Sequence, residues 1–200
     1  ACYAQVGQEW TFYEINPAVV RIARDPRYFT YLSQCMTNGQ VVLGDARLKL
    51  RNAPDGYYDL IILDAFSSDS IPIHLLTREA IAIYVSKLAK GGIVVFNISN
   101  RYLNLVPVLA SVAKSQGLAG RYRSDLIITE DERKRFKFSS TWAVIARRDF
   151  DLGTIANGSK WLHFPEVSPR LAWTDNFSNI LTALILWPDI RVEPENEAGQ

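Results

Sequence analysis

The 200-residue chain has little of what usually assigns a protein to a membrane, a metal or a polyanion. No apolar run approaches the roughly 18–20 residues that cross a bilayer; Ile180 to Trp187 is among the longest. These residues contain no basic start followed by an apolar stretch and a small-residue cleavage site, so no secretory signal is read in them. Charge of one sign is also lacking. Lys plus Arg number 22 against 21 for Asp plus Glu, which leaves no global field to draw the chain to nucleic acid or to an anionic surface. Cysteine is nearly absent: Cys2 and Cys35 stand in no metal-ligand spacing, and the expectation is two ordinary buried thiols in a reducing, cytoplasmic compartment rather than a disulfide scaffold. There is no zinc-type spacing, no nucleophile elbow, no internal repeat and no low-complexity tract.

What the chain does have is core. With 48% apolar residues it can bury one full interior, which predicts one domain over 1–150, an extension over 151–188 packing on it, and a polar, frayed tail over 189–200. It opens on Ala1 rather than Met and reads as a piece of a longer protein. Glu9 to Ile15 predicts a strand, after which Asn16-Pro17 starts a helix: Asn caps well and Pro suits the first helical position. Pro26 ends that helix. Gln40 to Leu43 reads as a second strand and Asp59 to Leu63 as a third. Thr77 caps a helix to about Leu88, with Ile81, Tyr84, Val85 and Leu88 at helical spacing. Lys90-Gly91-Gly92 is expected to turn the chain into a strand over Ile93 to Ile98. Leu105 to Gln116 reads as a helix stopped by Gly117, Ser140 to Ala146 as a late strand, and about Asn176 to Leu186 as a last helix. Alternating strands and helices at this spacing predict an α/β, doubly wound, mostly parallel sheet.

Leu60 to Leu63 is apolar at consecutive positions, as suits a strand covered on both faces, and it ends in Asp64 with Asp69 in the small-residue loop beyond. In open α/β sheets ligands bind beyond the carboxyl ends of strands, where Asp64 stands; the competing reading is a helix cap and a solubilised turn. Glu14 and Asp45 also follow strands. A carboxylate at Glu14 has two oxygens for the vicinal hydroxyls of a ribose, and Asp45 suits an adenine amino group, against a solvated strand end and an Asx turn respectively.

Tyr13-Glu14-Ile15-Asn16-Pro17, Gly44-Asp45-Ala46, Leu63-Asp64-Ala65-Phe66 with Asp69, and Leu88-Ala89-Lys90-Gly91-Gly92 occur in the order and spacing of the spermidine synthase family, the polyamine aminopropyltransferases. The stretch Asp64 to Glu79 and the segment Asn97-Ile98-Ser99-Asn100-Arg101-Tyr102 are similar to its spermidine synthase-like branch, some of whose members are fused to membrane domains. The resemblance runs from about Tyr3 to Ala146. It implies a Rossmann-like sheet of the class I S-adenosylmethionine-dependent methyltransferase type, here without its first strand and glycine-rich turn. It further implies that Glu14, Asp45 and Ala46 hold decarboxylated S-adenosylmethionine, that Asp64 takes a proton from the attacking amine, and that no metal takes part. The partner implied is a small amine such as putrescine, with no nucleic acid and no membrane contact from this segment, and with room for a homodimer. Methyl transfer from S-adenosylmethionine and a non-catalytic nucleoside-binding module stand as alternatives.

The chain departs from the family in three places. Asp64 and Asp69 are five positions apart rather than three, and Ser70 rather than Pro follows, which leaves the role of Asp69 as amine anchor open. Asn16 stands where an Asp is common. The segment that would carry the glycine turn and the amine-binding β-domain falls before Ala1, so a chain of these residues alone is expected to be inactive. His74 beside the loop and Asp175 in a later loop are further substrate-side candidates, each with a structural alternative; Asn97 and Asn100 either line the pocket or satisfy loop backbone. Arg133-Lys134-Arg135 next to Glu130-Asp131-Glu132 reads as a solvated charge run.

Overall fold

The structure, a computed structural model, describes residues 2, 4–36, 39–64 and 72–184. Asp69 and the tail over 189–200 therefore lie outside the described residues.

The first strand, β1 (Trp10–Glu14), pairs in parallel with β2 (Gly39–Leu43), from Trp10 opposite Gly39 to Glu14 opposite Leu43. Between them run two helices, α1 (Pro17–Arg24) and α2 (Tyr31–Cys35). The Asn16 side chain accepts from Ala18 N, Pro17 opens α1, and Arg21 and Arg24 occupy its last turn, where cations suit the helix dipole. Helix α3 (Ala46–Arg51) follows β2 directly.

A second sheet has the order β3–β4–β6–β5–β7, with β3 (Tyr58–Leu63), β4 (Leu88–Asn97), β5 (Ala119–Asp125), β6 (Ser140–Ala146) and β7 (Leu162–His163). β3 and β4 are parallel, and β6 is antiparallel to both β4 and β5. Hence β3, β4 and β5 run the same way, and their carboxyl ends share one rim. Helix α4 (Arg78–Lys87) links β3 to β4, and α5 (Val106–Ser115) links β4 to β5. Side chains alternate across the sheet. Val94 and Phe96 with Ala143 and Ile145 join the main core under α4 and α5; Val144 and Ala146 form a smaller cluster on the other face with Leu152, from the 3₁₀ segment Asp149–Ile155. Trp173, wholly buried, brings the carboxyl-terminal region into the main core, and its carbonyl accepts from Arg78 N at 2.8 Å.

No ladder joins the two sheets among the described residues. The hydroxyls of Tyr13 and Tyr58 lie 2.8 Å apart, and the Tyr57 hydroxyl donates to Glu9 Oε2 at 3.0 Å. Burial, and then the bond to Tyr13, raise the Tyr58 phenol above its ordinary pKa.

Several expectations are corrected. Leu60 and Ile62 are 41% and 46% exposed, so among the described residues β3 is not covered on both faces. Gly91 and Gly92 do not precede a strand but bulge within β4, which begins at Leu88; between Tyr58 opposite Leu88 and Leu60 opposite Ile93 the longer arm is absorbed by Gly91 at φ 79°. A Cβ on Gly92 would sit 2.8 Å from the Tyr58 carbonyl. In place of a helix from Asn176, the described residues carry a tight turn bridging Thr174 and Phe177 and a 3₁₀ turn over Ile180–Ala183. Cys2 and Cys35 are not free thiols. The opening segment folds against the end of α2 with Cα atoms 4.4 Å apart, and the two form a disulfide.

Candidate functional site

Each parallel pair of strands delivers two polar residues to its carboxyl end. At the first pair, Gly44 N donates to the Glu14 carbonyl at 2.9 Å, and Gly44 at φ 131° makes the sharp exit from β2 that a Cβ would hinder. Asp45 then caps α3, accepting from Leu48 N at 2.9 Å, and Ala46 is the first helical residue. Glu14 Oε1 accepts from Asn16 N at 2.7 Å. Each acid thus spends one oxygen on its own turn, the structural role read from the sequence, and keeps the other oxygen for a further partner. For Asp45 the neighbour of that second oxygen is His74, whose Nε2 is 3.7 Å from Oδ2.

At the second pair, Leu63 lies opposite Phe96, so Asp64 and Asn97 leave the sheet side by side. Asn97 Nδ2 donates to Asp64 Oδ1 at 2.7 Å. The amide cannot be turned round, because its oxygen accepts from Ser99 N (3.1 Å) and Ser99 Oγ (2.6 Å), and a backbone N–H only donates. Ser99 Oγ in turn accepts from Thr141 N on β6 at 2.9 Å. The line from Thr141 through Ser99 and Asn97 fixes one oxygen of Asp64, and among the described residues the other accepts no hydrogen bond. Asn100 has the backbone role, accepting from Tyr102 N and Leu103 N at 2.9 and 2.8 Å.

Asp175 is engaged elsewhere. Arg47 Nη1 and Nη2 donate to its two oxygens at 2.8 and 2.6 Å, and Thr77 Oγ1 donates to Oδ1 at 2.7 Å. These bonds, the Arg47 guanidinium foremost, hold its carboxyl below the usual carboxylate range. Arg47 Nη1 also donates to the His74 carbonyl at 2.8 Å. A cleft of about 470 Å³ lies here, lined by Arg47, His74, Thr77, Asp175 and Ser178 among others. The structure therefore gathers Glu14 with Asp45 and Ala46, Asp45 with His74, His74 with Asp175 through Arg47, and Asp64 with Asn97. The opposed charges of the cleft neutralise one another, while the three strand-end acids lack an Arg or Lys partner among the described ion pairs.

Sequence reasoning passed over Arg47 and Ser99. A signal for the first was there: a cation in the first turn of a helix opposes the dipole and needs an anion nearby. Nothing local marks Ser99. Among the described residues no group of three or more His, Cys, Asp or Glu is placed to hold a metal, and no helix is long and apolar enough to cross a membrane.

No protein-family model matches the chain. Among solved structures, a probable spermidine synthase from Corynebacterium glutamicum superposes with a TM-score of 0.51 at 14% identity, over 77% of this chain and 57% of that one. Spermidine synthase from Thermotoga maritima does so with 0.50 at 12%, over 69% and 45%. The fold is thus the Rossmann-like α/β fold that class I methyltransferases share with spermidine synthases. In sequence the chain is similar to a spermidine synthase-type enzyme: over 86 residues it is 41% identical to the polyamine aminopropyltransferase of Vibrio vulnificus (strain CMCP6). The matched stretch is 42% of this chain and 27% of that protein, so the chain spans about a quarter of that relative's length.

Proposed function

We propose that this chain carries the nucleoside-binding and proton-accepting part of an aminopropyltransferase, which moves an aminopropyl group from decarboxylated S-adenosylmethionine to a small amine such as putrescine. One observation carries the reading: three acids with no Arg or Lys partner among the described residues' ion pairs stand at the carboxyl ends of strands, two at one parallel pair and the third, oriented by Asn97, at the other. A sulfonium and a protonated amine are both cations, and a carboxylate set suits both.

The roles follow from the oxygens left over. Glu14 offers its second oxygen, and further lone pairs, to the ribose hydroxyls. Asp45, with Ala46 beside it, offers Oδ2 to the adenine amino group, a place that His74 now neighbours. An alkylamine has a pKa near 10.4, so at neutral pH it arrives protonated and cannot attack. Asp64 accepts that proton on the oxygen that Asn97 leaves unbonded. The amine nitrogen then bonds to the propyl carbon next to sulfur as the carbon–sulfur bond breaks, and the electron pair stays on sulfur in neutral methylthioadenosine. Asp69, five residues on, is assigned to the far ammonium group of a diamine and His74 to the substrate side, both on sequence grounds.

The test is Asp64→Asn in the full-length protein. The amide keeps the shape but cannot take the proton, so turnover falls about 100- to 10,000-fold while methylthioadenosine affinity, read by calorimetry, holds. Unchanged turnover assigns Asp64 to the loop alone. Tighter binding of S-adenosylhomocysteine than of methylthioadenosine would point to methyl transfer instead.

A further inference from the structure

We infer that Arg47 is a positioning residue for the nucleoside cradle: one guanidinium joins the α3 start, the loop after β3 and the carboxyl-terminal turn, and so fixes where Asp45 and Ala46 stand relative to His74. The inference rests on the function proposed above and adds to it a residue two positions from Asp45.

Arg47 is anchored at both ends of its reach. Its side chain is only 13% exposed, and its donors go to three acceptors in two other segments: the two oxygens of Asp175 and the carbonyl of His74. A planar fork is suited to this: two parallel bonds to a carboxylate set an angle as well as a distance, and the remaining donor holds the third group in plane. Asp175 is locked from the far side by Thr77, which also caps α4 by accepting from Ala80 N at 3.2 Å, and Asp175 N donates to Glu79 Oε2 at 3.0 Å. Thus α4, which is rooted in the core through Ala80, Ile81 and Tyr84, acts through Asp175 on Arg47. The His74 backbone is held by the same guanidinium whose neighbour Asp45 its imidazole faces. Asp45, by contrast, is fixed only through its own turn. Removing Arg47 leaves the strand-end acids in place but frees the opposite wall of the cleft.

This gives Asp175 a role as the anchor of the clamp, since both of its oxygens accept from the Arg47 fork. It also separates Arg47 from a simple charge. Lysine keeps the charge but is a point donor that cannot span two carboxylate oxygens and a carbonyl in one plane.

The test uses the full-length protein with Arg47→Lys, Arg47→Gln, Asp175→Asn and the double variant Arg47→Gln/Asp175→Asn, all measured well below their melting temperatures. Methylthioadenosine binding by calorimetry is expected to weaken about 10- to 100-fold in each single variant, as misplacement of a cradle by about an ångström does. The double variant is expected to be no worse than either single one, because the pair acts as a unit. In hydrogen exchange without ligand, residues 72–77 and 173–178 are expected to exchange faster together. Recovery of affinity by Arg47→Lys would overturn the inference in favour of charge alone. A fall in melting temperature with unchanged affinity would overturn it in favour of structure alone. Should the unaltered protein bind no nucleoside, the proposed function fails, and exchange then decides the clamp by itself: coupled loosening of the two segments upholds it, and unchanged exchange overturns it.

Discussion

The two sheets are unequal, and the candidate site draws on both. Around β3 to β6 lie Phe96, Val94, Ile145, Leu109, Val112, Tyr84 and Trp173, all at 2% exposure or less; around β1 and β2 the buried apolar side chains among the described residues are Val20, at 8%, and Leu50 on α3, at 5%, which already joins the main core. The acid assigned to proton transfer stands on the thick half, fixed by a hydrogen-bond line into β6. The two acids assigned to the nucleoside stand on the thin half, fixed by their own turns. On the proposed roles, the base, which must hold its geometry within fractions of an ångström, falls on the thickly packed half, and the nucleoside cradle, which can close on its ligand, on the thin one.

The comparison breaks most visibly in the thick half. Phe96→Ala removes a ring from a face packed by α4 and α5, where Tyr84 lies 6.4 Å away centroid to centroid. A loss of about 3–5 kcal/mol is expected, seen as a lower denaturant midpoint of the whole molecule. A loss below about 1 kcal/mol would mean that this half is not the core of stability.

Next comes the disulfide. Cys2 and Cys35 are 33 positions apart and enclose β1, α1 and α2. Chain entropy assigns such a loop about 3–4 kcal/mol. Reduction, or Cys35→Ser, is expected to cost that much locally: amides of β1 and β2 lose protection while those of β4 and β6 do not. Uniform loss of protection would show that the halves unfold as one.

These expectations indicate what could be read in advance. β6 was legible to the residue, because Ser140 to Ala146 is β-favouring and uninterrupted, and Asn16-Pro17 and Thr77 marked their helices by caps alone. β5 was not: Ala119-Gly120-Arg121-Tyr122-Arg123-Ser124-Asp125 has no apolar alternation. It is a strand because β6 pairs with it and because Asp149, 2.7 Å from the guanidinium, neutralises the buried Arg121. The short helix α6 (Glu130–Lys134) hid in a charge run, held by the Thr129–Glu132 capping box. The strand-end acids were visible from position; that Asn97, backed by Ser99, bonds Asp64 and that His74 faces Asp45 was not, since those contacts form only through the fold. Nor does sequence spacing reveal that Cys2 meets Cys35.

A smaller effect is tied to pH. Asp175→Asn is expected to lower stability by about 1 kcal/mol at neutral pH, a modest figure because the carboxylate is 41% exposed and screened by solvent, though its partner is not. The folded-state pKa is depressed, so this contribution is complete above the unfolded value near 3.9 and is lost as pH falls through the lower folded one. The melting curves of the two proteins should therefore converge in acid. Convergence on raising the pH instead would remove Asp175 as the titrating partner of Arg47.

The smallest change in stability is expected at β3, the edge strand of the thick half among the described residues. Ile62 is 46% exposed on β3, while its ladder partner Val95 and the adjacent Val94 are drawn into the packing of the second sheet, Val94 at 0%. Ile62→Thr keeps a β-branched side chain, which suits a strand, and removes little apolar area from the core, so a shift within about 1 kcal/mol is expected. Val94→Thr, the same change in polarity one strand away, buries a hydroxyl and is expected to cost about 1–3 kcal/mol. The exposed edge has a second consequence that stability does not register. Half of a strand's backbone groups and a row of apolar side chains face outward on β3, a combination that pairs with other chains. Ile62→Thr should therefore delay the onset of light scattering on heating at a nearly unchanged melting temperature. If it destabilises as much as Val94→Thr, the outer face of β3 is packed in solution, and the contrast between the two halves has been drawn at the wrong strand.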